Sequence, residues 1–311
     1  MLEKISFEFK NKFTMFFKNN EILQSFTRRI EPMIWDYNEN IKIDDKILIQ
    51  YSNLFKRVWI AGAFKGATFQ KALLPNVTKH HMNNLQYMRI IHKMNKKMVK
   101  IVGMVYTGWS RYDHLLPICE IMPAAMPSLI FLIKFLTNYG DLENTIGEFK
   151  KISKCNYKKN SIGFLFEPKF TDFKISSLHE YKAMELLSYE CTFPGSYVYK
   201  ILLNLRILIE LYEFHNQRYS TILNDYNLSN GYINTMVYEY SLNKFYPHMI
   251  NQFDLIGEEV DVYFIDFFYK DLVLEFKNIY IKPYTDSITG MINKLNLFKL
   301  KGFLPARPYL Q

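Results

Sequence analysis

An α/β fold, with a short parallel sheet in the first half and a mainly helical C-terminal region, is what this sequence predicts. Three observations carry that reading. Apolar, β-prone runs lie at residues 32–37 (PMIWDY), 58–64 (VWIAGAF) and 99–106 (VKIVGMVY). The first two lead into helical patterns, and the third leads through a polar segment into another apolar stretch. From about residue 138 the strand-like runs stop, and long stretches rich in Leu, Ile, Tyr and Phe take over.

Residues 1–30 hold one degraded strand candidate, 5–9. After the first full run, Asp44 and Asp45 suit a helix N-cap. Ile47, Leu48, Tyr51, Leu54 and Phe55 then share one helical face to about residue 56. After the second run, a loop with Gly66 and Pro75 leads to a helix from about Thr78, with Met82, Leu85, Met88 and Ile91 at helical spacing. After the third, residues 107–114 (TGWSRYDH) are polar and loop-like. This order is that of a parallel sheet with crossover helices, and nearly continuous apolar strands are expected where both faces are covered. Three βα units and one degraded one fall short of the eight that close a (β/α)8 barrel.

Residues 115–136 are apolar and about long enough to cross a membrane. They contain Glu120, Lys134, Pro117, Pro123 and Pro127. Charge and repeated helix breaks point instead to a buried segment packed on the sheet, with no membrane span. Beyond it, helices are expected near 180–190, 196–222, 231–248 and 260–280, with turns at Pro194-Gly195-Ser196 and Asn230-Gly231.

The 311 residues are 49% hydrophobic and 22% charged, which fits a packed core and excludes wholesale disorder. The net charge of +9 would suit an acidic partner, but the basic residues are scattered and only 8 of 39 are Arg. The densest run, Lys93, Lys96, Lys97 and Lys100, reads as a solvated helix end, and no nucleic-acid partner is expected. Three cysteines without a CxxC pattern make neither a disulfide framework nor a zinc site, which fits a reducing compartment. The N-terminal twenty residues carry charge throughout and do not read as a signal peptide, so the sequons at Asn76 and Asn227 read as chance matches.

The segment richest in chemistry is 107–114, at the C-terminal end of a predicted parallel strand, which is the functional end in β/α barrels. Trp109 and Tyr112 offer flat apolar faces to a pyranose ring, and Arg111 and Asp113 suit hydroxyls. Trp35, Asp36 and Tyr37 end the first strand with the same chemistry. A structural alternative stands beside this: Trp35 and Trp109 as buried anchors, and Asp113 as a helix cap. Asp36 and Asp113 are two carboxylates at different strand ends, but the sequence does not give their separation, and they are not read as a replacement acid–base pair. His80 and His81 are adjacent on a helix and point about 100° apart, which suits packing better than a metal. Cys119, in an apolar proline-rich run, reads as buried and inert.

Residues 31–37 (EPMIWDY), 61–68 (AGAFKGAT) and 107–114 (TGWSRYDH) resemble, in order and spacing, the last three strand-end motifs of the hexosaminidase D-like β-N-acetylhexosaminidases of glycoside hydrolase family 20. Cys119-Glu120, Met122-Pro123 and Pro127-Ser128-Leu129 continue the resemblance, as do Pro75 and His80-His81. It is densest over about 31–135, with weaker echoes at Phe193-Pro194-Gly195-Ser196 and Arg218-Tyr219.

The resemblance implies a partial (β/α)8, TIM-type barrel, about the last three βα units, as the C-terminal half of a glycosidase barrel at 31–137; the sequence pattern adds a degraded remnant or leader at 1–30 and a helical domain at 138–311. It implies hydrolysis of terminal β-linked N-acetylgalactosamine or N-acetylglucosamine by a substrate-assisted retaining route. The substrate's acetamido oxygen attacks the anomeric carbon, a Glu protonates the leaving oxygen, and the adjacent Asp orients the acetamide. That Asp-Glu pair belongs to a strand upstream of the matching motifs. No Asp-Glu dipeptide occurs in this chain, residues 1–30 contain no Trp or Asp, and Phe69 stands where the family has Gly. The chain is therefore expected to be truncated and inactive alone, with no catalytic residues of its own.

What carries over is a pocket wall: Trp35 and Tyr37 near the N-acetyl group or ring, Trp109 under the sugar, Arg111 and Asp113 on hydroxyls, and Tyr112 as lining. Lys65 is either a polar contributor or the partner of a rim carboxylate. The expected ligand is a glycan ending in N-acetylhexosamine, with no cofactor or metal, in a cytoplasmic and nuclear setting. The rival expectation is a non-catalytic helical interaction or sugar-binding protein derived from that family.

Overall fold

The computed structural model describes residues 25–155 and 189–301, apart from 26, 28, 42, 45, 47, 50–54, 56, 67, 96–99 and 233. The strand candidate at 5–9 and nearly all of the helix expected near 180–190 lie outside the described residues. So does much of the helix expected from Asp44, of which Lys46, Leu48 and Ile49 are helical.

Three parallel strands form one sheet in the order β1 (Met33–Trp35), β2 (Val58–Lys65), β3 (Ile101–Gly108). The register sets Trp35 beside Ala61 and Ala63 beside Thr107. Helix α1 (Val77–Asn95) crosses from β2 to β3. Asn76 starts it by accepting the Lys79 N–H on its side-chain oxygen, which gives this sequon residue a structural task.

The apolar stretch after β3 becomes α2 (Met122–Thr137), a single uninterrupted helix. Pro123 sits in its first turn, where a missing N–H costs nothing. Pro127 lies inside the helix without ending it, contrary to the expected breaks. One face of α2 is buried, and Ser128 donates from Oγ to the Phe64 carbonyl at 2.8 Å, pinning the helix to the end of β2. Among the described residues, no helix is long and apolar enough to cross a membrane.

Among the described residues, the rest is mainly helical. Helices α3 (Leu142–Ile152), α4 (Ser196–Tyr219), α5 (Asp225–Asn230) and α6 (Thr235–Tyr240) lead through a π-helical turn (Ser241–Phe245) into α7 (Tyr246–Tyr263), α8 (Lys270–Tyr280) and α9 (Lys282–Lys301). The class is thus α/β with a small parallel sheet and a mostly helical chain. The expected helix at 231–248 runs on with one change of pitch to Tyr263, and the expected helix at 260–280 is broken at 264–269. The break follows the exposure pattern, because Ile265, Phe267 and Tyr269 all face solvent there.

One buried cluster joins the two regions. It contains Phe64 from β2, Leu73, Phe131 from α2, Leu202 from α4, Phe253 from α7 and Phe276 from α8.

The cysteines correct the sequence reading. Cys155 and Cys191 are joined as a disulfide across 36 positions, and only Cys119 is a free, buried thiol. Beside the bond, the Thr192 N–H donates to the Ser153 carbonyl at 2.8 Å, so the end of α3 and the approach to α4 are tied twice. Spacing alone gave no sign of this, because the pairing depends on how α3 returns to α4.

Candidate functional site

The C-terminal ends of the three strands bring the sequence-selected aromatics together. The Trp35 and Tyr37 rings stack at 5.5 Å with planes 24° apart, and Tyr37 meets Trp109 edge-on at 5.1 Å. Trp35 is 66% exposed, so it is an open face rather than a buried anchor. Tyr37 and Trp109 are half-buried.

Helix α1 holds the β1 end in place. Asn83 donates its amide to the carbonyls of Asp36 and Asn38 at 2.8 and 2.7 Å. The Tyr87 hydroxyl accepts the Asp36 N–H at 2.7 Å and lies 3.0 Å from the Asp36 carbonyl. Burial pushes the Tyr87 phenol up beyond its ordinary range. A polar pair on an otherwise packed helix face is a signal that the sequence reading passed over.

Gly66 joins the β2 end to the β3 end. It sits in the left-handed region at φ +77, and a side chain there would meet the Trp109 carbonyl oxygen at 2.3 Å. Its N–H donates to a carboxylate oxygen of Glu120. Thr68 also hydrogen-bonds that carboxylate. Glu120 is buried with φ +41, and burial raises its pKa despite these bonds and the nearby Lys65 charge.

Lys65 is only 3% exposed, and its Nζ donates to Ser110 Oγ at 3.0 Å. Burial holds its pKa below the ordinary lysine value, with Glu120 pulling the other way. Lys65 therefore braces the two strand ends from within, in the field of a buried carboxylate.

Arg111 is placed differently from its neighbours. It makes a bidentate pair with Glu275 of α8, with Nη1 and Nη2 each donating at 2.6 Å, and Nη1 also donates to the Leu116 carbonyl at 2.8 Å. The Ile118 N–H donates to Glu275 at 3.1 Å, and the Tyr280 hydroxyl donates to the Ile118 carbonyl at 2.6 Å. Arg111 and Ile118 also form an isolated antiparallel bridge. The helical region is thus bonded to the strand-end segment at several points. The Arg111 bond holds the Glu275 carboxyl below its usual range. Glu275, some 160 positions downstream, gave no local signal in the sequence.

Tyr112 and Asp113 are exposed, and Asp113 Oδ1 accepts the Leu115 N–H at 3.2 Å. Asp36 Oδ1 accepts the Asn38 N–H at 2.9 Å in a similar local turn. Both carboxylates considered as a replacement pair therefore organise their own loops. His80 and His81 are buried on α1, and His81 packs edge-on against Phe135 at 4.4 Å and Phe131 at 5.6 Å. Among the described residues, no group of three or more His, Cys, Asp or Glu could hold a metal. Cys119 is buried, and burial pushes its thiol up, away from the nucleophilic thiolate.

The C-terminal ends of the parallel strands thus carry stacked aromatics beside polar side chains, and proteins named as hexosaminidases match part of the chain. The chain is 34% identical to human hexosaminidase D over 114 residues, 36% of this chain and 23% of that protein. It is 33% identical to bovine hexosaminidase D over 118 residues, 37% of this chain and 34% of that protein. Part of this chain, a little over a third, is therefore hexosaminidase D-like. The match spans about a quarter to a third of the relatives' own length. No protein-family model matches the chain.

Proposed function

We propose that the strand-end cluster binds a terminal β-linked N-acetylgalactosamine or N-acetylglucosamine, and that these 311 residues do not hydrolyse it by themselves. The observation that carries this is the Trp35–Tyr37–Trp109 array, an aromatic face at the strand ends with exposed polar neighbours. Its flat rings suit the apolar face of a pyranose. Tyr112 and Asp113 lie exposed on the segment that follows Trp109, and Arg111 between them and Trp109 is held by Glu275. Lys65 acts by holding Ser110 and the β3 end in register.

The three βα units are read as part of a (β/α)8 barrel, in which such a site faces the barrel mouth. A substrate-assisted retaining reaction there needs a Glu to protonate the leaving oxygen and an Asp to orient the acetamide. No Asp-Glu dipeptide is present in this sequence, so that pair must come from outside these residues.

The test is a calorimetric titration with methyl N-acetyl-β-galactosaminide beside an assay for 4-nitrophenol release from the aryl glycoside. Binding is expected, weakened about tenfold or more by Trp109→Ala, which removes one ring of the face. No release is expected. Failure of this sugar and of the matching methyl N-acetyl-β-glucosaminide to bind would overturn the sugar reading, and release would overturn the claim of inactivity.

The cytoplasmic and nuclear placement that the resemblance implies is part of the proposal. In that setting glutathione would keep Cys155 and Cys191 as thiols. Alkylation during rapid denaturing lysis of cells should then label all three cysteines. Label on Cys119 alone would argue against it.

A further inference from the structure

Where α7 ends and the chain turns toward α8, a run of apolar side chains stands in water. Val262, Ile265, Phe267 and Tyr269 are all exposed, Tyr269 at 91% and Ile265 at 61%. Tyr197, exposed at the start of α4, extends the surface, because its ring stacks on that of Tyr263 at 5.3 Å with planes 5° apart.

The backbone beneath these side chains is held from both ends. Phe264 is buried against Phe276 at 5.0 Å, and its carbonyl accepts the N–H groups of Phe267 and Phe268 at 3.0 and 2.9 Å. The Tyr269 carbonyl accepts the Leu272 and Val273 N–H groups at 3.0 and 3.2 Å, which starts α8. Ile265, Phe267 and Tyr269 therefore project from a bonded turn anchored by a core aromatic. Contiguous apolar surface kept in water in this way marks a contact site.

The charge around it is the reverse of the chain's. The whole chain carries +9, yet residues 258–275 hold six acidic residues and one basic one, Lys270. Lys277 pairs with Asp261, and Arg111 pairs with Glu275. Glu258, Asp266 and Asp271 are exposed, and among the described residues no cation pairs with them. Asp266 lies between Ile265 and Phe267, Asp271 lies two positions after Tyr269, and Glu258 lies one helical turn before Val262. Such carboxylates repel nucleic acid and anionic lipid at this face. They attract lysine and arginine, and the apolar side chains among them need an apolar counterpart.

We propose that this surface docks a basic amphipathic segment of a partner protein. The apolar face of the segment covers Ile265, Phe267 and Tyr269, and its Lys or Arg side chains meet Glu258, Asp266 and Asp271. This docking does not depend on the sugar reading.

The probe is a fluorescein-labelled amphipathic helical peptide of leucine and lysine, titrated with the whole chain and followed by fluorescence anisotropy. A peptide with glutamate in place of every lysine is the comparison. The lysine peptide should bind at least tenfold more tightly, and raising the salt from about 0.05 M to about 0.5 M should weaken it. Ile265→Ser/Phe267→Ser removes apolar contact and should weaken binding about tenfold or more. Asp266→Lys/Asp271→Lys should erase the preference for lysine over glutamate. Met236→Ser, which alters an exposed apolar residue of α6, should change nothing. All these side chains are exposed, and urea midpoints like that of the wild type confirm that each variant is folded.

Absence of binding by the lysine peptide, equal binding of the two peptides, or binding unchanged in Ile265→Ser/Phe267→Ser each overturns the assignment. Sedimentation of the wild type alone gives a further outcome. A concentration-dependent dimer that Ile265→Ser/Phe267→Ser dissolves would give the surface to a second copy of the chain and overturn the assignment to a basic partner.

Discussion

Gly66→Ala is expected to destabilise the protein by about 3 kcal/mol and to abolish sugar binding by the strand-end cluster. Two independent effects add at this position. Its φ of +77 costs any L side chain roughly 1–2 kcal/mol. The new methyl would also lie 2.3 Å from the Trp109 carbonyl oxygen and 2.9 Å from the Trp109 nitrogen. Those are backbone atoms and cannot swing aside, so β3 must move, at a further cost of about 1–3 kcal/mol. Movement there carries the Trp109 ring away from Tyr37 and pulls Ser110 from Lys65. It also disturbs the N–H that serves the buried Glu120 carboxylate.

Gly62 is the internal comparison. A methyl there meets the Met104 terminal carbon, which can turn away, so Gly62→Ala should cost much less. Urea unfolding and sugar titration of both variants decide the matter. If Gly66→Ala unfolds and binds like the wild type, the turn is not what positions Trp109.

The same residues show where the sequence was legible and where it was not. The strands were readable because both faces of β2 are covered, which forces the continuous apolar run VWIAGAF. The aromatic strand ends were visible as residues but not as a surface: the sequence left Trp35 open between an exposed face and a buried anchor, and only the fold shows it exposed. The prolines of α2 misled, because Pro123 falls in the first turn and Pro127 is carried by a helix already packed on Phe64. Lys65 could not be resolved from its neighbours in sequence, since its environment is set by Ser110 and Glu120, over forty positions away. Glu275 and the Cys155–Cys191 pair were hidden for the same reason. Helical periodicity reports that a face is buried and leaves open which distant residue it is buried against. The contributions that depend on the return of the helical region to the strand ends were therefore the ones out of reach.

Acidification is expected to unfold the protein between pH 6.5 and 4, through three buried histidines. His80 and His81 lie on α1, the latter against Phe131 and Phe135 of α2, and His215 on α4 stacks on Phe245 at 3.6 Å. Burial lowers their pKa to about 3, about 4 and about 4, from an ordinary value of 6.5. The folded state thus resists protonation that the unfolded chain accepts. Stability from these groups is fully present above pH 6.5 and is lost as pH falls toward the folded values. Each group contributes a slope of about 1.4 kcal/mol per pH unit, so three together lose about 4 kcal/mol per unit. Two such units remove about 8 kcal/mol, so a domain in the lower half of the usual range of about 5–15 kcal/mol does not survive them. Glu120 opposes the trend, since its raised pKa favours the folded state as pH falls, but it is one group against three. Glu275 joins the loss below the usual carboxylate range, because its pKa is depressed by Arg111. Urea unfolding at about pH 7.5, 6 and 5 should show the slope, and His81→Phe should reduce it by about one proton. Stability that stays flat from pH 7 to 5 would mean that the three imidazoles are not buried as neutral groups.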